Sequence, residues 1–110
     1  MKQRDICLAD LNPVRGSEQS GVRPVVVISG NAMNENLKLC IVCPITLSVK
    51  KYAGCLVLKK NDLNNLDHDS EVITFQVRTI AEARLIKKIG EISETQLKEI
   101  VKGLHEILTY

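Results

Sequence analysis

The chain has 110 residues, of which 45 % are hydrophobic and 25 % are charged, so it can bury a core and is not intrinsically disordered. Its formal net charge is only +2, well short of the basic excess of a dedicated duplex-DNA binder. No apolar run is long enough to cross a membrane, and the charged N-terminus lacks the apolar core of a signal peptide. We therefore expect one compact domain, residues 1–110, in the cytoplasm.

The first half of the chain predicts strands separated by one long loop. Ile6–Leu11 and the β-branched run Pro24–Ser29 predict strands. Residues 12–22 between them form a polar loop with one proline and two glycines. A single helical turn at residues 31–37 and a strand at Leu39–Ile45 follow.

The second half predicts further short strands and one helix. A basic loop at residues 48–54 precedes a strand at Cys55–Leu58, and a polar connection leads to strands at Glu71–Val77 and Arg84–Ile89. Ser93 then begins a capping box, followed by helical apolar periodicity over four turns, at Leu97, Ile100, Val101, Leu104, Ile107 and Leu108. The pattern indicates an α+β, mainly β chain with a small, strongly bent sheet or barrel and a C-terminal amphipathic helix.

Cysteine usage favours buried free thiols over a metal site. Cys40 and Cys43 form a CxxC pair, but the residues between them are Ile41 and Val42, and the run reads as strand. Residues three apart on a strand face opposite sides, whereas a metal-binding CxxC pair needs a turn that brings both thiolates to one ion, so free thiols are favoured over zinc and redox chemistry. We expect these two cysteines, and also Cys7 and Cys55, to be free thiols in a reducing compartment.

Arg23 stands between the polar loop and an apolar strand. Pro24 biases its backbone to an extended conformation, and a guanidinium on a rigid strand can bind a phosphate bidentately. The alternative is a solvated loop in which Arg23 pairs with Glu18, and from these residues alone the two readings are equally supported.

Several motifs in chain order resemble the MazF/PemK (also called Kid) family of toxin endoribonucleases from type II toxin–antitoxin systems. They are DLNPVRGSEQSGVRPVVVIS at residues 10–29, VCPIT at 42–46, Asp69-Ser70, QVRTI at 76–80 and RLIKKIGEIS at 84–93. The resemblance implies an SH3-like β-barrel with short helices, usually a homodimer. It also implies sequence-specific, ribosome-independent cleavage of single-stranded RNA by its own 2′-hydroxyl, with 2′,3′-cyclic phosphate and 5′-hydroxyl ends. No metal or other cofactor is implied. The implied partner is an antitoxin whose flexible acidic segment covers the RNA groove.

The resemblance implies that Arg23 and Thr46 form the catalytic pair. A fixed guanidinium stabilises charge on the phosphate oxygens, and a hydroxyl helps to hold the phosphate in line. Arginine is a poor base at neutral pH, so we hypothesise that Glu18 is the base, with a structural partnership to Arg23 or loop amides as an equal alternative. Another branch of the family carries other catalytic residues where this chain has Ser17, Ile73 and Phe75, so that acid–base scheme is not transferred.

The remaining candidate residues are expected to bind substrate. Ser17 and Gln19 offer hydrogen bonds from the first loop, and Lys50, Lys51 and Tyr52 offer phosphate contacts and base stacking. An ordinary exposed turn explains the two lysines equally well.

Gln76 and Arg78 match the family motif, and alternation on a strand would set them on one face. Structural roles are favoured for both. Phe75 is expected in the core, and His68 and His105 are expected at the surface or in helix packing.

Two functions other than cleavage fit the same resemblance. SH3-like barrels serve many functions, and one group of toxins with this barrel binds DNA gyrase without cleaving RNA. A degraded toxin that only sequesters an antitoxin is the other alternative. The Arg23–Thr46 pair favours the nuclease, because a gyrase binder does not need it.

Overall fold

The computed structural model describes residues 1–13, 16, 18 and 21–110. In these residues the strands are β1 (Asp5–Asp10), β2 (Val22–Val27), β3 (Leu39–Thr46), β4 (Leu56–Leu58), β5 (Ser70–Val72), β6 (Arg78–Ala81) and β7 (Leu85–Glu91). The α-helices are α1 (Asn31–Leu37) and α2 (Glu94–Thr109), and 3₁₀ turns lie at Thr74–Gln76 and Glu82–Arg84. None of the helices in this part of the chain is long and apolar enough to span a membrane.

The strands form one antiparallel sheet in the order β4-β5-β3-β2-β1-β7, with β6 paired to β3 off this path. Strand β3 changes partners along its length, because Leu39–Val42 pairs with β6 and Ile45–Thr46 pairs with β5. A single strand shared in this way bends the sheet into the barrel-like shape that the sequence predicts, although no ring of strands closes within the described residues.

Apolar side chains form a cluster on each face of the bent sheet. The first cluster includes Ile6, Val26, Cys43 and Ile45, and α2 covers it with Ile100. The second cluster comprises Ala9, Leu11, Val25, Val27, Cys40, Val42 and Ile80. Burial of both faces explains why β2 and β3 are apolar at nearly every position instead of at alternate ones. The site described below continues the second face.

The cysteines follow this division of the sheet. Cys40 belongs to the second cluster and Cys43 to the first, so the two thiols face opposite sides as predicted. Cys7 is also buried, Cys55 is half-buried, and all four are free thiols. Burial raises the pKa of Cys40 to about 11 and that of Cys43 to about 12, so both are inert thiols at neutral pH.

Helix α2 confirms the predicted C-terminal helix. The Ser93 hydroxyl accepts a hydrogen bond from the Gln96 amide at 3.1 Å, and the Gln96 side chain accepts one from the Ser93 amide at 2.9 Å. This capping box satisfies two amides that the first turn leaves unpaired. The predicted helical turn at residues 31–37 is also present, and it extends over seven residues.

The predicted strand Glu71–Val77 is wrong beyond Val72. The chain turns into the 3₁₀ turn Thr74–Gln76, and Arg78 begins β6, a strand that the sequence analysis missed. The Gln76 and Val77 amides donate to the Ile73 and Thr74 carbonyls within this turn at 3.2 and 3.1 Å, and the Thr74 hydroxyl donates to the distant Gly54 carbonyl at 2.8 Å. Gln76 and Arg78 therefore do not alternate along one strand.

Candidate active site

Arg23 and Thr46 lie on neighbouring strands, β2 and β3. The pairing of these strands runs from Val27–Val42 to Val25–Pro44, and Arg23 and Thr46 each lie two residues beyond its last pair. By strand alternation, Arg23 projects to the same face as Val25, and Thr46 to the same face as Pro44. Both residues are half-buried. The two residues of the implied pair thus lie on neighbouring strands at the same end of the β2–β3 pairing, and their catalytic roles remain a prediction.

The Thr46 hydroxyl is oriented by the turn that follows β3. Its oxygen accepts a hydrogen bond from the Ser48 amide at 3.2 Å. Because a threonine hydroxyl also carries one hydrogen, its O–H can donate to an anion near Arg23. The arrangement suits a phosphate group held by a guanidinium and a hydroxyl.

A first cavity, of about 170 Å³, connects the polar loop to the 3₁₀ turn. We call it the Glu18 cavity, and its lining residues are Leu11, Glu18, Pro44, Phe75, Gln76, Val77 and Arg78. Gln76 and Arg78 reach it from different elements, which corrects the prediction of a shared strand face. Arg78 Nη1 donates to the Leu11 carbonyl at 3.3 Å and so braces the start of the loop.

The loop that carries Glu18 depends on its glycines. Gly16 and Gly21 have φ angles of +60° and +77°, which residues other than glycine rarely adopt. The Gly21 amide donates to the Asn12 side-chain oxygen at 3.1 Å and closes the loop at its base. Ser17 and Gln19, predicted to bind substrate, lie outside the described residues.

A second cavity, of about 250 Å³, contains Thr46 and adjoins the first. We call it the Thr46 cavity, and it is lined by Thr46, Ser48, Lys50, Tyr52, Ile73, Phe75 and Gln76. Phe75 and Gln76 line both cavities. Together the two form one groove that offers a cation, an amide, a hydroxyl and aromatic rings.

The structure separates the two neighbouring lysines. Lys50 and Tyr52 line the Thr46 cavity, whereas Lys51 is exposed and is not among its lining residues. Lys51 has a left-handed φ of +57°. The basic loop therefore presents one lysine and one tyrosine to the groove.

Phe75 corrects a prediction, because its side chain is 48 % exposed instead of buried in the core. The change of direction after Val72 turns it outward, where it meets Tyr52 edge to face. Sequence reasoning also missed Glu71, which is buried directly opposite Thr46 in the β3–β5 pair. Glu71 follows the polar residues Asp69 and Ser70 in the sequence, so the local pattern gave no signal of its burial.

A larger cavity, of about 570 Å³, lies on the other side of Arg23. Its apolar wall includes Leu8, Ile45 and Ile89, and Arg23, His68 and Lys87 provide polar groups. His68 is exposed, as expected, but it shares this cavity with Arg23 despite their separation in sequence. His105 is exposed on α2, and it lines neither this cavity nor the groove.

Comparison with known proteins supports the resemblance over the full chain. The family model described as the PemK-like, MazF-like toxin of type II toxin–antitoxin systems matches residues 2–108. Endoribonuclease MazF of Staphylococcus saprophyticus is 36 % identical, and the match covers 100 % of this chain and 98 % of that protein.

Solved structures of other proteins share the fold of this chain. MazF from Deinococcus radiodurans superposes with a TM-score of 0.84 at 24 % identity, covering 100 % of this chain and 97 % of that one. A mycobacterial endoribonuclease in complex with its cognate antitoxin superposes with a TM-score of 0.80 at 16 % identity, covering 98 % and 94 % of the two chains. The chain therefore belongs to the PemK-like, MazF-like toxin family of type II toxin–antitoxin systems.

Proposed function

We propose that the chain is a toxin endoribonuclease that cleaves single-stranded RNA at a short sequence, without the ribosome and without a metal ion. The observation that carries this proposal is the placement of Arg23 and Thr46 on neighbouring strands, with Thr46 in a groove that it lines together with Lys50 and Tyr52. The activity in the name of the 36 % identical relative supports the same conclusion.

In the proposed reaction, the 2′-oxygen of the RNA attacks the adjacent phosphorus, and the bond from phosphorus to the 5′-oxygen breaks. The 2′-hydroxyl loses its proton to a base, and the departing 5′-oxygen takes up a proton. The products are a 2′,3′-cyclic phosphate and a 5′-hydroxyl. Arg23 and Thr46 stabilise the negative charge that develops on the non-bridging oxygens, and loss of one such donor typically costs about a hundredfold or more in rate.

Glu18 is the carboxylate proposed as the base. It is exposed and lines the groove together with Gln76, so a nucleotide seated there can approach its carboxylate. Gln76 offers an amide that can bind a base edge or a phosphate. This arrangement assigns the proton transfer to a carboxylate and leaves Arg23 permanently charged.

The cavities on either side of the catalytic pair accommodate a strand that continues past the cleaved bond. One side offers Tyr52 and Phe75 for stacking, and the other offers Lys87 and His68 near an apolar wall. Stacking on aromatic rings requires bases that are free of a duplex, which favours single-stranded RNA.

We also propose that a cognate antitoxin inhibits the chain, as the complex of the mycobacterial relative supports. The groove, with Lys50, and the larger cavity, with Arg23 and Lys87, offer cations that attract acidic side chains as well as phosphates, and a disordered acidic segment can order itself on such a surface. The four free thiols are consistent with the cytoplasm, where thiols stay reduced.

A homodimer is proposed on separate grounds. Strand β7 lies at an end of the sheet, and Ile86 on it is 56 % exposed. An uncovered edge with apolar side chains favours association with a second copy. Light scattering coupled to gel filtration checks this, and a mass of one chain at micromolar concentration would contradict it.

The decisive experiment incubates the purified chain with single-stranded RNA in EDTA and identifies the new ends. We expect 2′,3′-cyclic phosphate and 5′-hydroxyl ends, which disappear with Arg23→Ala and largely with Thr46→Val. Absence of cleavage across many RNA sequences would contradict the proposal. It would favour a binding module that docks on a protein such as DNA gyrase, or one that only sequesters an antitoxin.

A further inference from the structure

Glu71 is a buried carboxylate directly across the sheet from Thr46. The two residues pair in the antiparallel β3–β5 ladder, so their side chains project from the same face at a Cβ separation of about 5 Å. Glu71 is 0 % exposed. Burial of a carboxylate is costly unless hydrogen bonds replace its lost water, so its partners identify what this residue does.

The partners of Glu71 are three consecutive backbone amides of the basic loop. Oε1 accepts from the Lys50 amide at 2.7 Å and from the Lys51 amide at 3.1 Å. Oε2 accepts from the Tyr52 amide at 2.9 Å. Because both oxygens are occupied by donors and shielded from solvent, Glu71 is not available to take a proton from RNA. Its role is to hold the backbone of the loop.

The far end of the same loop is tied to the residues that follow β5. The Thr74 hydroxyl donates to the Gly54 carbonyl at 2.8 Å, and the Cys55 amide donates to the Tyr52 carbonyl at 3.1 Å. The segment from Lys50 to Cys55 is thus held at both ends by Glu71 and Thr74. The side chains that the held segment directs into the groove are those of Lys50 and Tyr52.

We propose that Glu71 is a positioning residue that fixes the Lys50–Tyr52 backbone beside Thr46, and thereby sets the affinity of the groove for RNA. The RNA part of this inference rests on the proposed function. We call the three hydrogen bonds that Glu71 accepts from the Lys50, Lys51 and Tyr52 amides the clamp. The clamp does not rest on the proposed function, because it is a property of the folded chain. Glu71 acts through Lys50 and Tyr52 and does not contact the reacting atoms.

The clamp is tested by amide hydrogen exchange, measured by NMR, on the parent chain and on Glu71→Gln. Glutamine has nearly the same shape, but it keeps one acceptor oxygen and turns an NH₂ group toward amides that are also donors. We expect exchange at Lys50, Lys51 and Tyr52 to accelerate by roughly ten- to a hundredfold, as for loss of hydrogen bonds to a charged group. Unchanged exchange at these three amides would overturn the inference.

The effect on RNA is tested by a double-mutant cycle. We expect Glu71→Gln to raise KM and leave kcat nearly unchanged, because binding is lost equally in the ground and transition states. Tyr52→Leu should then cost less in the Glu71→Gln background than in the parent, with a coupling of at least about twofold in KM. Additive effects of the two substitutions would overturn the positioning role.

Two controls separate the clamp from general instability. Ile100→Val weakens the first cluster at a buried residue far from the loop in sequence, and it should leave KM unchanged. If Glu71→Gln does not fold, Thr74→Val removes the other tie of the same segment, and it should accelerate exchange and raise KM in the same direction. If the parent cleaves no RNA, the proposed function fails, and the exchange experiment still decides the clamp.

Discussion

Tyr52 and Phe75 meet edge to face at the surface, with ring centroids 5.2 Å apart and ring planes at 88°. The rings are 47 % and 48 % exposed, and each lines the Thr46 cavity. An edge-to-face pair stabilises its own geometry by about 0.5–1.5 kcal/mol. The pair therefore forms an aromatic surface in the same cavity as Thr46, built from segments more than twenty residues apart.

Loss of the Tyr52 ring should weaken RNA binding. Stacking of one base on an aromatic ring contributes about 1–3 kcal/mol, so Tyr52→Leu is expected to raise the dissociation constant by roughly five- to a hundredfold. Tyr52→Phe keeps the ring and should behave nearly as the parent. Tyr110→Leu is the matched control, because Tyr110 is 99 % exposed and lines neither part of the groove. Equal affinity of Tyr52→Leu and the parent would exclude stacking on this ring.

The neighbouring lysines provide an internal comparison, because Lys50 lines the groove and Lys51 does not. Lys50→Gln should weaken RNA binding at all sequences and reduce the slope of log K against log salt by about one phosphate contact. Lys51→Gln should leave the RNA affinity and the salt slope nearly unchanged. Binding titrations from low to moderate salt measure the two slopes, and equal slopes for the two variants would show that the loop does not present its lysines selectively.

Glu18 is proposed to take the proton from the 2′-hydroxyl. If it does, Glu18→Gln lowers kcat by about a hundredfold or more throughout the range from pH 5 to 9. Glu35→Gln, at an exposed glutamate of α1, is the control for a change of net charge. Cleavage by Glu18→Gln at the parent rate across this range would assign the proton transfer to another group.

Local patterns in the sequence predicted much of the fold. The capping box and the apolar periodicity of α2 involve only neighbouring residues, and the apolar runs of β2 and β3 reflect a sheet buried on both faces. The pairing of β2 with β3, which brings Arg23 and Thr46 to neighbouring strands, is a long-range property. Only the family resemblance indicated that these two residues belong together.

The errors of the sequence analysis have long-range causes. Glu71–Val77 has the composition of a strand, but the strand ends at Val72, and the Thr74 hydroxyl bonds to the distant Gly54 carbonyl. That turn also places Phe75 at the surface. The partners of Glu71 are amides about twenty residues earlier, so no local pattern in the sequence could show why a glutamate is buried there.

Gly103 on α2 should not tolerate alanine. Alanine is favoured over glycine in a helix by about 1 kcal/mol, so helix propensity alone predicts stabilisation. A Cβ on Gly103 would lie 2.0 Å from the Gly54 carbonyl oxygen, and backbone must move to relieve that contact. We expect the clash to prevail and Gly103→Ala to lower the free energy of unfolding by about 1–3 kcal/mol. Urea denaturation measures this free energy, and Lys102→Ala on the exposed side of α2 is the control. A rise in the stability of Gly103→Ala would contradict the close contact.

The buried thiol of Cys43 should make the fold sensitive to alkaline pH. Burial raises its pKa from 9.0 to about 12, so above pH 9 the unfolded chain releases this proton and the folded chain retains it. Stability is therefore unaffected below pH 9 and falls as the pH rises from 9 toward 12, by up to about 1.4 kcal/mol per pH unit for this thiol.

Urea denaturation at pH 8, 9, 10 and 10.5 should show a steeper loss of stability in the parent than in Cys43→Ala. The variant starts from a lower free energy of unfolding, because it leaves a cavity in the first cluster. Cys55→Ala keeps the Cys43 thiol and should retain its contribution to the slope. If the free energy of unfolding falls equally with pH in the parent and in Cys43→Ala, Cys43 does not hold its proton in the folded chain.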